Sequence, residues 1–243
     1  MKHALITGAS SGIGRQLAFE YASAGWTVFA CGRNQQELEA MQSVCSHIHP
    51  KVFDVTRSEE VLATAATLPP LDLVILNAGT CEYLNDPVQF DGALFERVIQ
   101  TNLISVGYCL QAYLPKIPAG GRVAFVSSSA AWLPLSRAEA YGASKAGMTY
   151  LAQTLSIDLA SQNIGVSTIH PGFVETPLTD RNDFPMPCRI SVEEAGRVIH
   201  EALDKGKQDI HFPGRFTRVL KSFSLLPFAV WRRIAMRMVR HEQ

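Results

Sequence analysis

A tyrosine and a lysine in the second half of the chain are the side chains best suited to proton-transfer chemistry. Tyr141 and Lys145 stand at the two ends of the segment YGASK, so a helix would place both on one face. A phenol is protonated at neutral pH, and a neighbouring ammonium stabilises its anion and lowers its pKa. The pair could therefore exchange a proton with the oxygen of a carbonyl or an alcohol. An ordinary surface pair on a helix is the alternative.

Three consecutive serines, Ser127, Ser128 and Ser129, end an apolar run a short distance before Tyr141. Open α/β sheets bind their ligands at the carboxyl ends of their strands. A hydroxyl at this place could hydrogen-bond a substrate oxygen, and the position alone does not choose among the three.

A glycine-rich stretch, TGASSGIG at residues 7–14, directly follows the apolar run ALI near the N-terminus. Glycines permit a tight turn between a strand and a helix, and the helix N-terminus can hold a pyrophosphate. The stretch predicts a dinucleotide site, with a glycine-rich turn of purely structural purpose as the alternative. Its predicted cofactor-binding residues are Gly8, Ser10, Ser11, Gly12, Ile13 and Gly14.

Arg33 indicates which dinucleotide would bind. It stands at the end of the second predicted strand, where NAD-binding proteins place an acidic residue for the ribose hydroxyls. The guanidinium suits a 2′-phosphate instead, which predicts NADP(H). Arg15 could add a second positive charge, although a solvated surface arginine is the simpler explanation for it. Asp54, followed by Val55 at the end of the third strand, could accept a hydrogen bond from the adenine amino group.

The elements that must position these residues alternate along the chain. Seven β-rich runs are separated by six segments with helical apolar spacing, and no linker or repeat interrupts them. This rhythm predicts one α/β domain over residues 1–243, a Rossmann-like, doubly wound, seven-stranded parallel sheet with helices on both faces. The helical segments are 14–24, 35–46, 59–68, 95–114, 141–159 and 192–203.

Composition excludes several classes of protein. The chain has 243 residues, 47% hydrophobic and 18% charged, which is too apolar for a disordered chain and too interrupted for a membrane span. Its 22 basic and 22 acidic residues cancel, so no nucleic-acid partner is expected. Five scattered cysteines and an N-terminus without a leader pattern predict a cytoplasmic protein. The histidines form no cluster in sequence, so no metal site is expected.

The residues from 214 to 243 have a different character. They contain seven basic side chains and one acid, together with many large apolar residues interrupted at Pro227. This pattern predicts a basic amphipathic, helical C-terminal extension. Its apolar face could pack on the body of the protein or on a partner subunit, cover an apolar substrate entrance, or make peripheral contact with a membrane.

Taken together, the motifs resemble the short-chain dehydrogenase/reductase family in its compact single-domain branch. The similarity extends over most of the chain and includes the order and spacing of the motifs, with Ser128 thirteen residues before Tyr141. It is carried by TGxxxGIG at 7–14, Asp54, the NAG triplet at 77–79, Asn102, Ser128, Tyr141, Lys145, Pro171, Gly172 and Thr176.

The resemblance implies roles for these residues. Tyr141 would be the general acid in reduction and the general base in oxidation, and Lys145 would lower its pKa and bind the nicotinamide ribose. Ser128 would orient the substrate oxygen, and Asn102 would hold a water in the proton relay. The remaining implied contacts are Asn77 and Gly79 beneath the cofactor, Ala78 near the adenosine ribose, Ile13 at the pyrophosphate, and Pro171, Gly172, Val174 and Thr176 around the nicotinamide.

The expected activity is interconversion of a small-molecule carbonyl and its alcohol with NADP(H). A non-catalytic NADP-binding sensor or docking protein of the same fold is the alternative. The resemblance also implies a homodimer or homotetramer formed through the segments 95–114 and 141–159, and a short apolar lid at 175–190.

Overall fold

The computed structural model describes residues 2–239 and contains one sheet of seven parallel strands. The strand order is β3-β2-β1-β4-β5-β6-β7, which confirms the predicted Rossmann-like sheet. The strands are β1 (His3–Thr7), β2 (Thr27–Gly32), β3 (Ile48–Val52), β4 (Leu73–Leu76), β5 (Arg122–Val126), β6 (Gly165–Pro171) and β7 (Asp209–Phe212).

The helices α1 to α7 connect the strands as predicted, with one difference. The segment predicted as a single helix from 95 to 114 is divided by a π-helical turn at Gln100–Ile104, so it forms α4 and α5. The helices are α1 (Gly12–Ser23), α2 (Gln35–Val44), α3 (Ser58–Ala66), α4 (Gly92–Ile99), α5 (Ser105–Tyr113), α6 (Glu139–Asp158) and α7 (Val192–Asp204).

Two further helices, α8 (Gly214–Phe223) and α9 (Phe228–Val239), form the described part of the C-terminal extension. Arg240, one of the seven basic residues of the extension, lies outside the described residues. None of the helices within residues 2–239 combines the length and the apolar character that crossing a bilayer requires.

Alternate residues of the central strands pack on opposite faces of the sheet. In β1, Ala4 and Ile6 join a core with residues of α1, α2 and α7, whereas Leu5 joins a second core with residues of α3, α5 and α6. Strands covered on both faces must be apolar at successive positions, which explains the continuous run ALI. The helices therefore lie on both faces of the sheet, as predicted.

The strand order reverses between β1 and β4. Connections from these two neighbouring strands go to opposite faces of the sheet, so a crevice opens at their carboxyl ends. The turn that begins at Gly8 lies on one side of this crevice, and the loop that begins at Asn77 lies on the other.

Candidate active site

A cleft of about 850 Å³ occupies the carboxyl edge of the sheet. It collects nearly all the predicted site residues, and only Gly14 and Asn102 lie beneath its surface rather than on it. The predicted residues that line the cleft are Gly8, Ser10, Ser11, Gly12, Ile13, Arg33, Asp54, Val55, Asn77, Ala78, Gly79, Ser128, Tyr141, Lys145, Pro171, Gly172, Val174 and Thr176.

The glycine-rich turn is fixed to the neighbouring strand by Asn77. The Asn77 amide nitrogen Nδ2 donates to the carbonyls of Thr7 and Gly8 at 3.0 and 3.1 Å. A Cβ at Gly14 would lie 2.4 Å from that nitrogen and 2.4 Å from the Gly8 oxygen. Gly14 therefore has no room for a side chain, and its place beneath the cleft is explained by backbone packing in the turn.

Gly12 begins α1 with φ +52° at the surface of the cleft. An alanine would be strained in this conformation by about 1 kcal/mol, and its Cβ would lie 3.2 Å from Cγ2 of Thr176 across the cleft. We expect Gly12→Ala to lower the free energy of unfolding by about that amount and to weaken dinucleotide binding at least about fivefold. Denaturation and fluorescence titration with NADPH measure the two effects.

Gly25 provides the matched control. It also has a positive φ, of +83°, but a Cβ there would meet nothing within 4 Å, and it does not line the cleft. Gly25→Ala should cost a similar free energy of unfolding and leave dinucleotide binding unchanged. Equal losses of affinity in the two variants would show that Gly12 acts only through stability.

Arg33 and Asp54 meet at one end of the cleft. The Arg33 Nη1 lies 3.6 Å from Oδ2 of Asp54, while Arg33 leaves 80% of its side chain exposed. Although burial acts to raise the pKa of the Asp54 carboxyl, hydrogen bonds from Thr56 and the charge of Arg33 lower it below its usual value. Arg15 instead pairs with Glu37, at 3.2 Å, and does not line the cleft.

The three serines after β5 have different surroundings. Ser127 donates its hydroxyl to the Lys145 carbonyl and bonds the Thr149 hydroxyl, so it holds α6 against the sheet. Ser129 does not line the cleft, whereas Ser127 and Ser128 do. The backbone carbonyl of Ser128 accepts a hydrogen bond from Nδ1 of buried His170, at 3.1 Å. The Ser128 hydroxyl accepts a hydrogen bond from the Ala130 amide at 3.1 Å, and unlike the Ser127 hydroxyl it is not bonded to Lys145 or Thr149 of α6.

Tyr141 and Lys145 lie next to one another on α6, as the spacing predicts. Burial raises the pKa of the Tyr141 phenol, Cys81 adds to this effect, and a hydrogen bond with Ser128 lowers the pKa by less. The pKa of the phenol is therefore above its usual value in the protein alone, and the lowering expected from Lys145 does not decide it. The ammonium lies 5.8 Å from the ring centroid and donates to the Val126 carbonyl at 2.8 Å. Burial also lowers the pKa of Lys145, to about 8.

Asn102 is fully buried within the π-helical turn. Its side chain accepts a hydrogen bond from the Thr80 amide at 2.8 Å and donates to the Thr80 carbonyl at 2.9 Å and the Ser144 hydroxyl at 3.0 Å. It thereby joins the loop after β4 to α6. A π-helical turn shifts the hydrogen-bonding register of a helix and is frequent at functional sites.

Sequence reasoning missed two residues that fix the lid, Tyr83 and Arg137. The Arg137 guanidinium binds both carboxylate oxygens of Asp183 in the lid, at 2.8 and 2.9 Å, and also bonds Asn85 in the loop after β4. The Tyr83 hydroxyl donates to Oδ1 of Asn182 at 3.0 Å. Both residues follow strands at the carboxyl edge, a position that could have suggested contact with a ligand or a lid.

Aromatic contacts continue from the lid to the C-terminal extension. Phe184 in the lid packs against Tyr83 and Phe173, with ring centroids 5.4 and 6.1 Å apart. Phe173 also packs on Phe216 of α8, at 5.4 Å. The lid contributes Leu178 to the lining of the cleft. The other lid residues that line the cleft are Thr176, Pro177, Thr179 and Arg181.

No group of three or more histidine, cysteine or acidic side chains within residues 2–239 is arranged to hold a metal ion. His170 instead packs against Trp132, with ring centroids 4.7 Å apart, and burial lowers its pKa. A neutral histidine that donates to the Ser128 carbonyl has a structural role in the loop after β5.

The family model described as short chain dehydrogenase matches residues 2–184. The chain belongs to the short-chain dehydrogenase family. An uncharacterized oxidoreductase of Myxococcus xanthus is 33% identical over 97% of this chain and 96% of its own length. A 3beta-hydroxysteroid dehydrogenase of Mediterraneibacter gnavus is 33% identical over 77% of this chain and 71% of that protein.

The fold of this short-chain dehydrogenase agrees with solved structures. A Burkholderia cenocepacia short chain dehydrogenase in complex with NADP superposes with a TM-score of 0.85, at 23% sequence identity, over 96% of this chain and 98% of that one. The similarity covers the predicted Rossmann-like sheet and its flanking helices.

Proposed function

We propose that this protein is an NADP(H)-dependent oxidoreductase that interconverts a carbonyl and an alcohol on a small or apolar substrate, in the manner of a carbonyl reductase or alcohol dehydrogenase. The observation that carries the proposal is the convergence of Ser128, Tyr141 and Lys145 on one end of a cleft whose other end is formed by the glycine-rich turn and Arg33.

The residues have separate roles in this proposal. In reduction, Tyr141 gives its proton to the substrate oxygen while the carbonyl carbon accepts the hydride that the bound nicotinamide supplies. In oxidation the phenolate takes the proton back. Ser128 donates a hydrogen bond to the same oxygen and polarises it. Lys145 carries positive charge beside the phenol and would bind the nicotinamide ribose. Asn102 lies beneath the cleft with its side chain bonded to Thr80 and Ser144, so it supports α6 behind this pair.

The cofactor is proposed from the shape and charge of the cleft. The absence of side chains at Gly8 and Gly12 lets a pyrophosphate approach the N-terminus of α1, and Arg33 exposes its guanidinium to a 2′-phosphate. Asp54 and Val55 would contact the adenine of the bound dinucleotide, while Pro171, Gly172, Val174 and Thr176 would surround the nicotinamide. The presence of NADP in the Burkholderia relative supports this choice.

A non-catalytic sensor or docking protein that binds NADP is the competing function. Oxidation of NADPH, followed by its absorbance, against a varied panel of aldehydes and ketones separates the two. The oxidoreductase should reduce several members of the panel with consumption of NADPH. Tight NADPH binding without turnover of any member would favour the sensor.

The protein should assemble through α4, α5 and α6 into a homodimer or a homotetramer. Tyr150 and Ile157, seven residues apart on one face of α6, are 76% and 75% exposed. Ile104, at the end of the π-helical turn between α4 and α5, is 41% exposed. Such an apolar face is suited to a two-fold contact. We expect light scattering at micromolar concentration to give at least twice the monomer mass.

Charged substitutions on α6 and elsewhere on the surface test where the contact between subunits lies. Tyr150→Glu/Ile157→Glu should give a monomer because it places charges in the apolar contact, and Val88→Glu, at a 92% exposed position, should not. A monomer mass for the unaltered protein would contradict the assembly.

We also propose a cytoplasmic location, which the five free cysteines favour, and a single catalytic domain over residues 1–243 with the extension from 214 as part of it.

A further inference from the structure

Residues 224–227 connect α8 to α9; we call the two helices with this connection the hairpin, and residues 225–228 the hairpin tip. Trp231 fixes the hairpin to the body: it is 3% exposed, and its Nε1 donates to the Pro134 carbonyl at 2.9 Å. Its ring also packs on Phe223 of α8. The extension therefore packs on the body of the protein at Trp231, which is one of the alternatives that the sequence left open. This contact holds the hairpin in a defined orientation.

The hairpin tip itself is not covered by this packing. Leu225 is 85% exposed and Phe228 is 64% exposed, so two large apolar side chains project from a fixed position. Val230 and Met236 on α9 are 41% and 44% exposed. Exposed apolar side chains that are grouped in this way mark an interaction surface rather than an ordinary surface.

The charge of the hairpin selects the kind of partner. Residues 214–239 contain six basic side chains and no acid, whereas residues 1–213 contain 15 basic and 21 acidic side chains. Lys221 pairs with Asp209 of the body. The other five form no ion pair within the described part of the chain, and all are exposed: Arg215, Arg218, Arg232, Arg233 and Arg237.

We infer that the hairpin docks on the surface of an anionic lipid bilayer, with Leu225 and Phe228 in the interface and the arginines on the phosphates. A bilayer interface accepts projecting apolar side chains and basic groups on the same element. The acidic body is repelled from the same surface, so only the hairpin can approach it. An acidic patch on a second copy would match the charges but would offer no apolar layer for the hairpin tip.

Docking has a consequence for the substrate, which rests on the proposed function. Phe216 of α8 packs on Phe173, which follows the cleft residues Pro171 and Gly172. The hairpin and the wall of the cleft at Pro171 and Gly172 are thus neighbours. A docked protein would take an apolar, lipid-derived carbonyl or alcohol from the bilayer.

Vesicle co-sedimentation of the full chain tests the docking. The protein should sediment at low salt with phosphatidylcholine vesicles that contain about one-third phosphatidylglycerol, and not with pure phosphatidylcholine or at high salt. Leu225→Ser/Phe228→Ser and Arg232→Glu/Arg233→Glu should each lower partitioning at least about tenfold. Val44→Ser/Val88→Ser, which changes two exposed valines outside the hairpin, should sediment like the unaltered protein.

NADPH binding by each variant verifies folding and keeps this test separate from the proposed function. Absence of sedimentation by a folded, NADPH-binding protein would overturn the docking alone. So would equal sedimentation of the unaltered protein and Leu225→Ser/Phe228→Ser. Leu225→Ser/Phe228→Ser could instead change the molecular mass of the protein in solution without changing its sedimentation with vesicles. The hairpin tip would then be a contact between copies of the chain, and the bilayer proposal would be wrong.

Discussion

Tyr141→Phe should reduce turnover about a hundredfold or more while leaving NADPH binding near its original affinity. The substitution keeps the ring, which is half-buried against the cleft, and removes only the hydroxyl. Because burial raises the pKa of the phenol, Tyr141 is protonated at neutral pH in the protein alone and is ready to act as an acid. Single-turnover oxidation of NADPH measures the loss, and fluorescence titration measures binding.

Tyr83 is the matched control for this result. It is also half-buried, and its hydroxyl bonds Asn182 of the lid. Tyr83→Phe also removes a phenolic hydroxyl, but one that contacts the lid and is not the proposed proton donor. It should therefore change KM more than kcat. A Tyr141→Phe variant with near-normal turnover would refute the assignment, and a hundredfold loss in Tyr83→Phe alone would move the proton donor to Tyr83.

The sheet could be predicted from the sequence because its central strands are short apolar runs between turn residues. Parallel strands covered on both faces need continuous apolar residues, and segments such as ALI and LVIL have this pattern. The π-helical turn at Gln100–Ile104 could not be predicted in this way. It retains the apolar spacing of a helix, and the contacts of Asn102 with Thr80 and Ser144 come from other elements.

The position of the cleft could be predicted for a similar reason, because motifs that follow parallel strands meet at one edge of the sheet. Contacts between loops could not. Arg137 is joined to Asp183 and Asn85 across 46 and 52 residues of chain, and no periodic pattern links such positions. The pKa of Tyr141 was missed because spacing on a helix shows a nearby cation but not the extent of burial.

Arg33→Asp should weaken NADPH binding by at least about 2 kcal/mol, or roughly thirtyfold in Kd, and should comparatively spare NADH. The substitution removes the guanidinium that is 80% exposed at the end of the cleft and places a carboxylate where a 2′-phosphate would lie. NADH has a hydroxyl at that position, and a carboxylate can accept a hydrogen bond from it. Titration with both cofactors measures the ratio of the two affinities.

Two companion variants identify the cause of that change. Arg33→Asp also sets a second acid beside Asp54, which lies 3.6 Å from the Arg33 guanidinium, so Arg33→Met is needed to remove the charge without adding repulsion. Arg33→Met should weaken NADPH by less than Arg33→Asp and leave NADH unchanged. Arg15→Met should affect neither, because Arg15 pairs with Glu37 outside the cleft. Equal losses for NADPH and NADH in Arg33→Met would mean that Arg33 supports the turn rather than binding a phosphate.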